Sequence, residues 1–342
     1  MNRVVDRVRT ARLLVQRHEG LLWWLHSTWA LTLGVVFMWL GARNFTWLRL
    51  AAVHIIVIWS ASLLLANFVD RPDHTSVWWA RLRLVITYVT KNFYQQILFF
   101  ILPIYFASAT FGSRNILFIA LLAISAVLST LDVVYDRHLS ARRDLNALFF
   151  AFNLFAAVAV ALPILWSISN LAALRIATLG AVLGYVTIAR RPSELTRHQT
   201  WRATAIGAAV VVALMELMRP LVPPAPLQLT ETAFGMGLDR RSFQAVDPIT
   251  TLPADWTGRV YAVTSLLAPL GLEDSVELRW YRGGHLLWVS RAHDFIGGRK
   301  EGFRLWSSVQ VSASGPTGTL RLDVSTVDGQ LIGRAFLPPG SD

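Results

Sequence analysis

Between residues 21 and 220 the chain is a succession of apolar runs about 20 residues long, separated by short connections rich in arginine. A helix of that length rises 1.5 Å per residue and covers ~30 Å, the thickness of bilayer hydrocarbon. Seven spans are predicted, at roughly 21–41, 47–67, 93–112, 115–134, 147–168, 171–189 and 202–220. Gln95, Gln96 and Pro103 interrupt the third. Residues 76–91 set Trp78, Trp79, Arg81, Arg83 and Tyr88 among apolar positions, the pattern of a helix lying in the membrane interface. The first run is longer than the roughly 7–15 residues of a signal h-region, and no A-x-A-like site follows it, so a retained span is expected.

Past the stretch Pro220-Leu-Val-Pro-Pro-Ala-Pro226 the period changes to two. Apolar and polar positions alternate over 258–267, 275–282, 285–292, 303–312, 318–327 and 330–337, with a further strand near 227–235. Gly283-Gly284 and Asp328-Gly329 read as two-residue hairpin turns, because a type I′ turn needs positive φ at both central residues. About seven short strands imply a small all-β sandwich, with an immunoglobulin-like topology as its natural form. The division that follows is a helical transmembrane domain over 1–220, a Pro-rich linker over 221–227, and an extracytoplasmic β-sandwich over 228–342. No internal repeat and no low-complexity tract is present.

Composition and charge sharpen this picture. The 342 residues are 54% hydrophobic and 15% charged, against about 25% charged in soluble proteins. The net charge of +11 is unevenly placed: residues 1–227 carry +12 and residues 228–342 carry −1. In the alternating connections, 16 basic residues fall on one side and 5 on the other. That asymmetry is the positive-inside pattern and argues against a nucleic-acid partner. An odd number of spans then sets the N-terminus in the cytoplasm and the β region outside. With no cysteine, thiol catalysis, disulfides and thiolate metal sites are excluded.

Two stretches carry a resemblance. GGRKEGFRLWSS (297–308), followed by DGQLIGR (328–334), resembles the C-terminal family catalogued as domain of unknown function 2914. Gly298, Arg299, Gly302, Phe303, Arg304, Trp306 and Ser307 match its pattern and Trp280 its Trp, whereas Leu278 stands where that family often has His. The membrane half, notably QQILFFILPIYFASAT and LSTLDVVYDR, is similar to domain of unknown function 5924, a polytopic bacterial inner-membrane region. The resemblance implies architecture and an envelope setting; it implies no activity.

No G-x-S-x-G, H-E-x-x-H or P-loop signature is present, and Gly235-Met-Gly237 stops short of a dinucleotide fingerprint. His293 and Asp294 are neighbours on a strand end and point to opposite faces. No catalytic residue, metal or cofactor is therefore assigned, and a non-enzymatic role is the better-supported expectation. The candidate ligand site is Arg299, Lys300, Arg304 and Trp306. In 303–312, Phe303, Leu305, Val309 and Val311 share core parity, while Arg304, Trp306, Ser308 and Gln310 share the polar face. Such a Trp beside arginines suits an envelope polysaccharide, an anionic ligand or a protein partner. The plainer account has Arg304 stacked on Trp306 to shield a sheet edge. Trp280 and Trp288 have core parity with Leu278 and Leu286 and read as packing.

Within the spans, polar side chains cost free energy and call for partners. Lys91, Gln95, Gln96 and Asp132 share a depth at the cytoplasmic end, where an interhelical bond or a proton relay would each be geometrically available. His54 and Asn153 differ in depth by roughly 10 Å and read as separate interhelical hydrogen bonds. Glu216 and Arg219 are spaced i,i+3 and can pair with each other or with Arg49 and Arg175. The expectation is an inner-membrane protein, in contact with membrane lipid, that presents a periplasmic β-sandwich to an envelope ligand or partner. The alternative is a transporter or membrane-embedded enzyme with the β domain as a lid, its cavity lined by His54, Asn153 or Gln96.

Overall fold

In a computed structural model, the structure describes residues 97–131, 142–189, 197–253, 256–312 and 315–340, plus the single positions Thr28, Trp29, Thr32, Val36, Val57 and Trp78. Apart from those single positions, the expected spans 21–41 and 47–67 and the interfacial segment 76–91 lie outside the described residues.

Among the described residues five helices come first: α1 (Ile97–Ala107), α2 (Asn115–Thr130), α3 (Arg143–Trp166), α4 (Asn170–Ala189) and α5 (Arg197–Met218), the last followed by a 3₁₀ turn at Arg219–Leu221. Two stretches, Asp144–Trp166 and His198–Leu221, are long and apolar enough to cross a membrane by length and composition. The apolar helices Ile97–Ala107, Asn115–Thr130 and Asn170–Val186 are shorter. Seven full spans were expected from the apolar runs; among the described residues two meet the length. The first two expected spans are not among them, and the third and fourth are described only in part. Ser167 at φ 53° ends α3 in the left-handed region, and α4 starts three residues later, so α3 and α4 form a tight antiparallel hairpin. At their contact Gly184 lies against Phe150 and Leu154, and Ala147, Ala151, Ala177 and Ala181 on the two helices are fully buried.

Three of the helices carry exposed apolar stripes. Leu117, Leu121 and Ile124 on α2, Ile176, Leu179 and Leu183 on α4, and Ile206, Val210, Leu214 and Leu217 on α5 are exposed, each set at three- or four-residue spacing. Asn115, Ser125, Ser129, Thr130 and Asn153 are buried. The apolar stripe faces out and part of the polar complement faces in.

Nine strands follow: β1 (Gln228–Asp239), β2 (Gln244–Ile249), β3 (Gly258–Leu267), β4 (Glu273–Arg282), β5 (His285–Val289), β6 (His293–Ile296), β7 (Phe303–Val311), β8 (Leu320–Thr326) and β9 (Leu331–Leu337). They build two antiparallel sheets, β2-β1-β3-β7 and β5-β4-β8-β9, with β6 continuing along the same edge of β4 as β5. The count exceeds seven because β2 and β6 are short edge strands whose exposed residues do not alternate cleanly. The inner faces share one core that includes Val260, Leu278, Trp280, Leu305, Leu322, Val324 and Ile332. Trp280 is completely buried, and its indole N–H donates to Ser307 Oγ at 2.8 Å.

Both glycines of Gly283-Gly284 take positive φ, 54° and 88°, and Arg282 pairs with His285, as the two-residue turn demanded. Asp328-Gly329 differs. Only Gly329 is left-handed (φ 87°), and Thr326 N–H bonds the Gln330 carbonyl, so the loop has three residues, 327–329. Trp288 is also not core: it is 43% exposed and Leu286 55%. β5 is an edge strand whose register skips Leu287, and it is Leu287 that packs inward. The Pro-rich segment is packed, not solvated. Val222 and Ala225 join the helical core and Leu227 the β core.

Candidate functional site

The alternation predicted for β7 holds: Leu305, Val309 and Val311 are buried, while Arg304 and Gln310 are exposed and Trp306 is half-buried. What covers Trp306 is a cation 66 residues earlier. The tip of the β1–β2 hairpin, residues 240–243, folds across the outer face of β7. There the Arg240 guanidinium stands 5.5 Å from the Trp306 ring centroid, and Arg304 donates to the Ser242 carbonyl at 3.1 Å. Arg304 also lies 3.7 Å from the Glu301 carboxylate. Arg304 is thus not the cation over Trp306; Arg240 is. The tip is held by Asp239, which accepts from Arg241 N–H at 2.9 Å and from the Ser242 hydroxyl at 2.7 Å. Those two donors, the Ser242 hydroxyl first, hold the Asp239 carboxyl below the usual carboxylate value.

Arg299 and Lys300 belong to a different neighbourhood. They sit in the turn between β6 and β7, where the Arg299 guanidinium lies 5.1 Å from the Phe303 ring and Lys300 is exposed. Phe303 is on the opposite face of β7 from Trp306. The four expected ligand residues therefore form two pairs. The glycines of this motif have a backbone role: a Cβ on Gly297 would fall 2.1 Å from the Pro269 carbonyl, and one on Gly302 (φ 81°) 3.0 Å from the Leu266 carbonyl.

A second constellation joins the helices to the sandwich. Gln330, fully buried, accepts from the Asn170 side-chain amide and donates to the Val222 carbonyl at 2.9 Å. The Asn170 backbone N–H donates to Asp274 Oδ2 at 2.9 Å, and Asn115 Nδ2 to the Leu331 carbonyl at 2.9 Å. Ser167 Oγ donates to the Leu270 carbonyl at 3.2 Å, and Arg219 Nη2 to the Asp328 carbonyl at 3.3 Å. All the helical partners come from the start of α2, the α3–α4 turn and the end of α5, which is one end of the helical layer. Burial pushes the Asp274 carboxyl above its usual value, against the lowering effect of the Asn170 and Ser275 N–H groups; Asp328 adds to the rise. Sequence reasoning missed this seam. Its members are single polar residues flanking apolar runs, and only their separate positions could have hinted at it.

Of the intramembrane candidates, His54, Lys91, Gln95, Gln96 and Asp132 lie outside the described residues. Asn153 is 1% exposed; its Nδ2 donates to the Phe149 carbonyl one turn back at 2.7 Å, so it bonds within its own helix, and its Oδ1 has no partner among the described residues. Glu216 and Arg219 form the expected i,i+3 contact at 3.6 Å. Among the described residues no group of three or more His, Asp or Glu side chains could hold a metal.

Against known proteins, the model of a family described as Family of unknown function (DUF5924) matches residues 1–258, running from the helices through the β1–β2 hairpin. No curated protein matches the sequence. Among solved structures, an immunoglobulin-like protein from Pseudomonas aeruginosa is similar to 34% of this chain and 98% of its own, with a TM-score of 0.22 and 12% identity.

Proposed function

The chain belongs to that family, and on this footing we propose that it is a multi-pass protein of a bacterial inner membrane that holds a β-sandwich rigidly at the periplasmic surface to recognise an envelope ligand. The observation that carries the reading is the combination of outward apolar stripes with contacts to the sandwich at one end only. Leu179 is 64% exposed, Ile206 66% and Leu217 74%. In water such stripes would be an aggregation liability, whereas in lipid they are the solvated face. In the sequence, the stretches that link α2 to α3 and α4 to α5 hold Arg137, Arg142, Arg143, Arg190, Arg191 and Arg197, the charge that the positive-inside rule keeps in the cytoplasm.

The β region is read as immunoglobulin-like, and its motif as that of domain of unknown function 2914. In chain order, β1, β3 and β7 take the places of strands A, B and E, and β4, β5, β8 and β9 those of C, C′, F and G. A buried Trp on strand C, here Trp280, accompanies that arrangement. The ligand-facing surface is the outer face of β7, where Trp306 offers an aromatic ring and Arg240 and Arg304 offer anion-binding forks. An acidic, sugar-bearing polymer fits that chemistry. The buried seam favours a fixed platform over a swinging lid.

The test is in two steps. A membrane-impermeant maleimide should label Gln310→Cys, at an exposed position, in spheroplasts and not in inverted vesicles; the reverse result would overturn the orientation. Full-length protein in nanodiscs should co-sediment with isolated sacculi, and Trp306→Ala with Arg240→Ala should abolish it. Equal sedimentation by wild type and variant would remove the site.

A further inference from the structure

Among the described residues of the β unit, the two most exposed large apolar side chains lie in neighbouring loops. Leu270, in the loop between β3 and β4, is 82% exposed, and Ile296 at the end of β6 is 59% exposed. The two segments are laced together: Gly297 N–H bonds the Leu272 carbonyl at 2.8 Å, Gly271 N–H the Gly297 carbonyl at 3.3 Å, and Gly298 N–H the Ala268 carbonyl at 3.1 Å. Arg299 and Lys300 continue directly from Ile296-Gly297-Gly298. The result is a two-loop tip with apolar ends and a cationic shoulder.

Its height above the helices is set by a contact. The Leu270 carbonyl accepts from Ser167 Oγ at 3.2 Å, and Ser167 is the residue after Trp166, where a 23-residue apolar stretch ends. Trp166 itself is 59% exposed. At the outer end of α1, Phe106 packs on Phe111 with centroids 5.4 Å apart, and Phe111 is 68% exposed. Aromatic rings at helix ends mark the headgroup level of a bilayer. Leu270 and Ile296 at that level are placed to enter an apolar phase, and the neighbouring cations suit phosphate.

We propose that the Leu270–Ile296 tip is a lipid-docking surface. The two apolar side chains enter the acyl boundary of the outer leaflet, and Arg299 and Lys300 bind the phosphates of anionic lipid headgroups. This rests on the membrane reading above and extends it: the sandwich is moored to the bilayer by its own loops as well as by the helical seam. It also gives Arg299 and Lys300 a role separate from the Trp306 face.

The chain has no cysteine, so single labels are clean. Leu270→Cys, Leu179→Cys and His285→Cys would each carry an environment-sensitive fluorophore in the full-length protein. The protein would be reconstituted in phosphatidylethanolamine–phosphatidylglycerol vesicles with and without spin-labelled lipid. Leu179 lies on the α4 stripe. His285 sits at the far end of β4, about 30 Å from Glu273 at the rise of an extended strand. The expected result is several-fold quenching at 179 and 270 and none at 285. The Arg299→Gln, Lys300→Gln pair should reduce quenching at 270 several-fold in these vesicles, and not in neutral phosphatidylcholine. Quenching at 179 without quenching at 270 overturns the mooring and leaves the membrane reading standing. No quenching at 179 overturns both.

Discussion

Replacing Gln330 with Ala tests whether the helices and the sandwich are one mechanical unit. The substitution deletes two side-chain hydrogen bonds in a fully buried position, one received from the Asn170 amide and one given to the Val222 carbonyl. Neither partner can turn to water there, and an orphaned buried polar group costs about 1–3 kcal/mol. The backbone bonds of the loop, Thr326 N–H to the Gln330 carbonyl and Gly329 N–H to the Thr326 carbonyl, survive the change. A net loss of about 3 kcal/mol at the seam corresponds to a roughly hundredfold rise in the open population. Hydrogen exchange in nanodiscs reads this directly: amides of 326–331 and of 221–227 should exchange roughly a hundredfold faster, while β3 and β4 stay protected. Asn170→Ala alone should do part of the same, and the double variant should fall short of the sum, because the two share a bond. Unchanged exchange in Gln330→Ala, or strict additivity with Asn170→Ala, would refute the seam as a clasp.

Three further outcomes are expected. Trp280→Phe should lower stability by about 2–4 kcal/mol, since it leaves a void in the core and strips Ser307 of its indole donor; thermal unfolding of the full chain measures it. Gly302→Ala should cost about 1–3 kcal/mol through a left-handed backbone and a Cβ against the Leu266 carbonyl, visible as a lower Tm, whereas an unchanged Tm would show that the turn can relax. Asp274 binds its proton more readily folded than unfolded, so its contribution to stability is full below about pH 3.8 and is lost as pH rises through its higher folded value. Stability of the full chain should therefore rise on acidification from neutral pH, read by thermal unfolding, and Asp274→Asn should flatten that part of the pH profile relative to wild type.

Much of this protein follows from residue order alone. The long apolar runs of 147–168, 171–189 and 202–220 read as helices from their length, and helices stand there. The period-2 segments past residue 227 require half-buried strands, and Gly283-Gly284 requires its turn, since few residues other than glycine tolerate both positive φ angles. The parity of β7 settles which of its side chains face inward. Local rules of this kind need no knowledge of what lies across the sheet.

Tertiary structure decided everything that depends on which distant residue arrives. Trp306 and Arg304 were legible as an outward pair, but Arg240 and Ser242 reach them only because a hairpin tip folds over the sheet. Trp288 has the parity of a core residue and is exposed, because β5 lies at an edge and its register skips Leu287. Asp328-Gly329 resembles a two-residue turn, yet Thr326 pairs with Gln330 and lengthens the loop by one. The seam of Asn170, Gln330, Val222 and Asp274 unites residues more than a hundred positions apart, none of them remarkable in its own stretch. Sequence periodicity reports which side of an element is buried; it carries no record of the partner, which is chosen by how the layers close on one another.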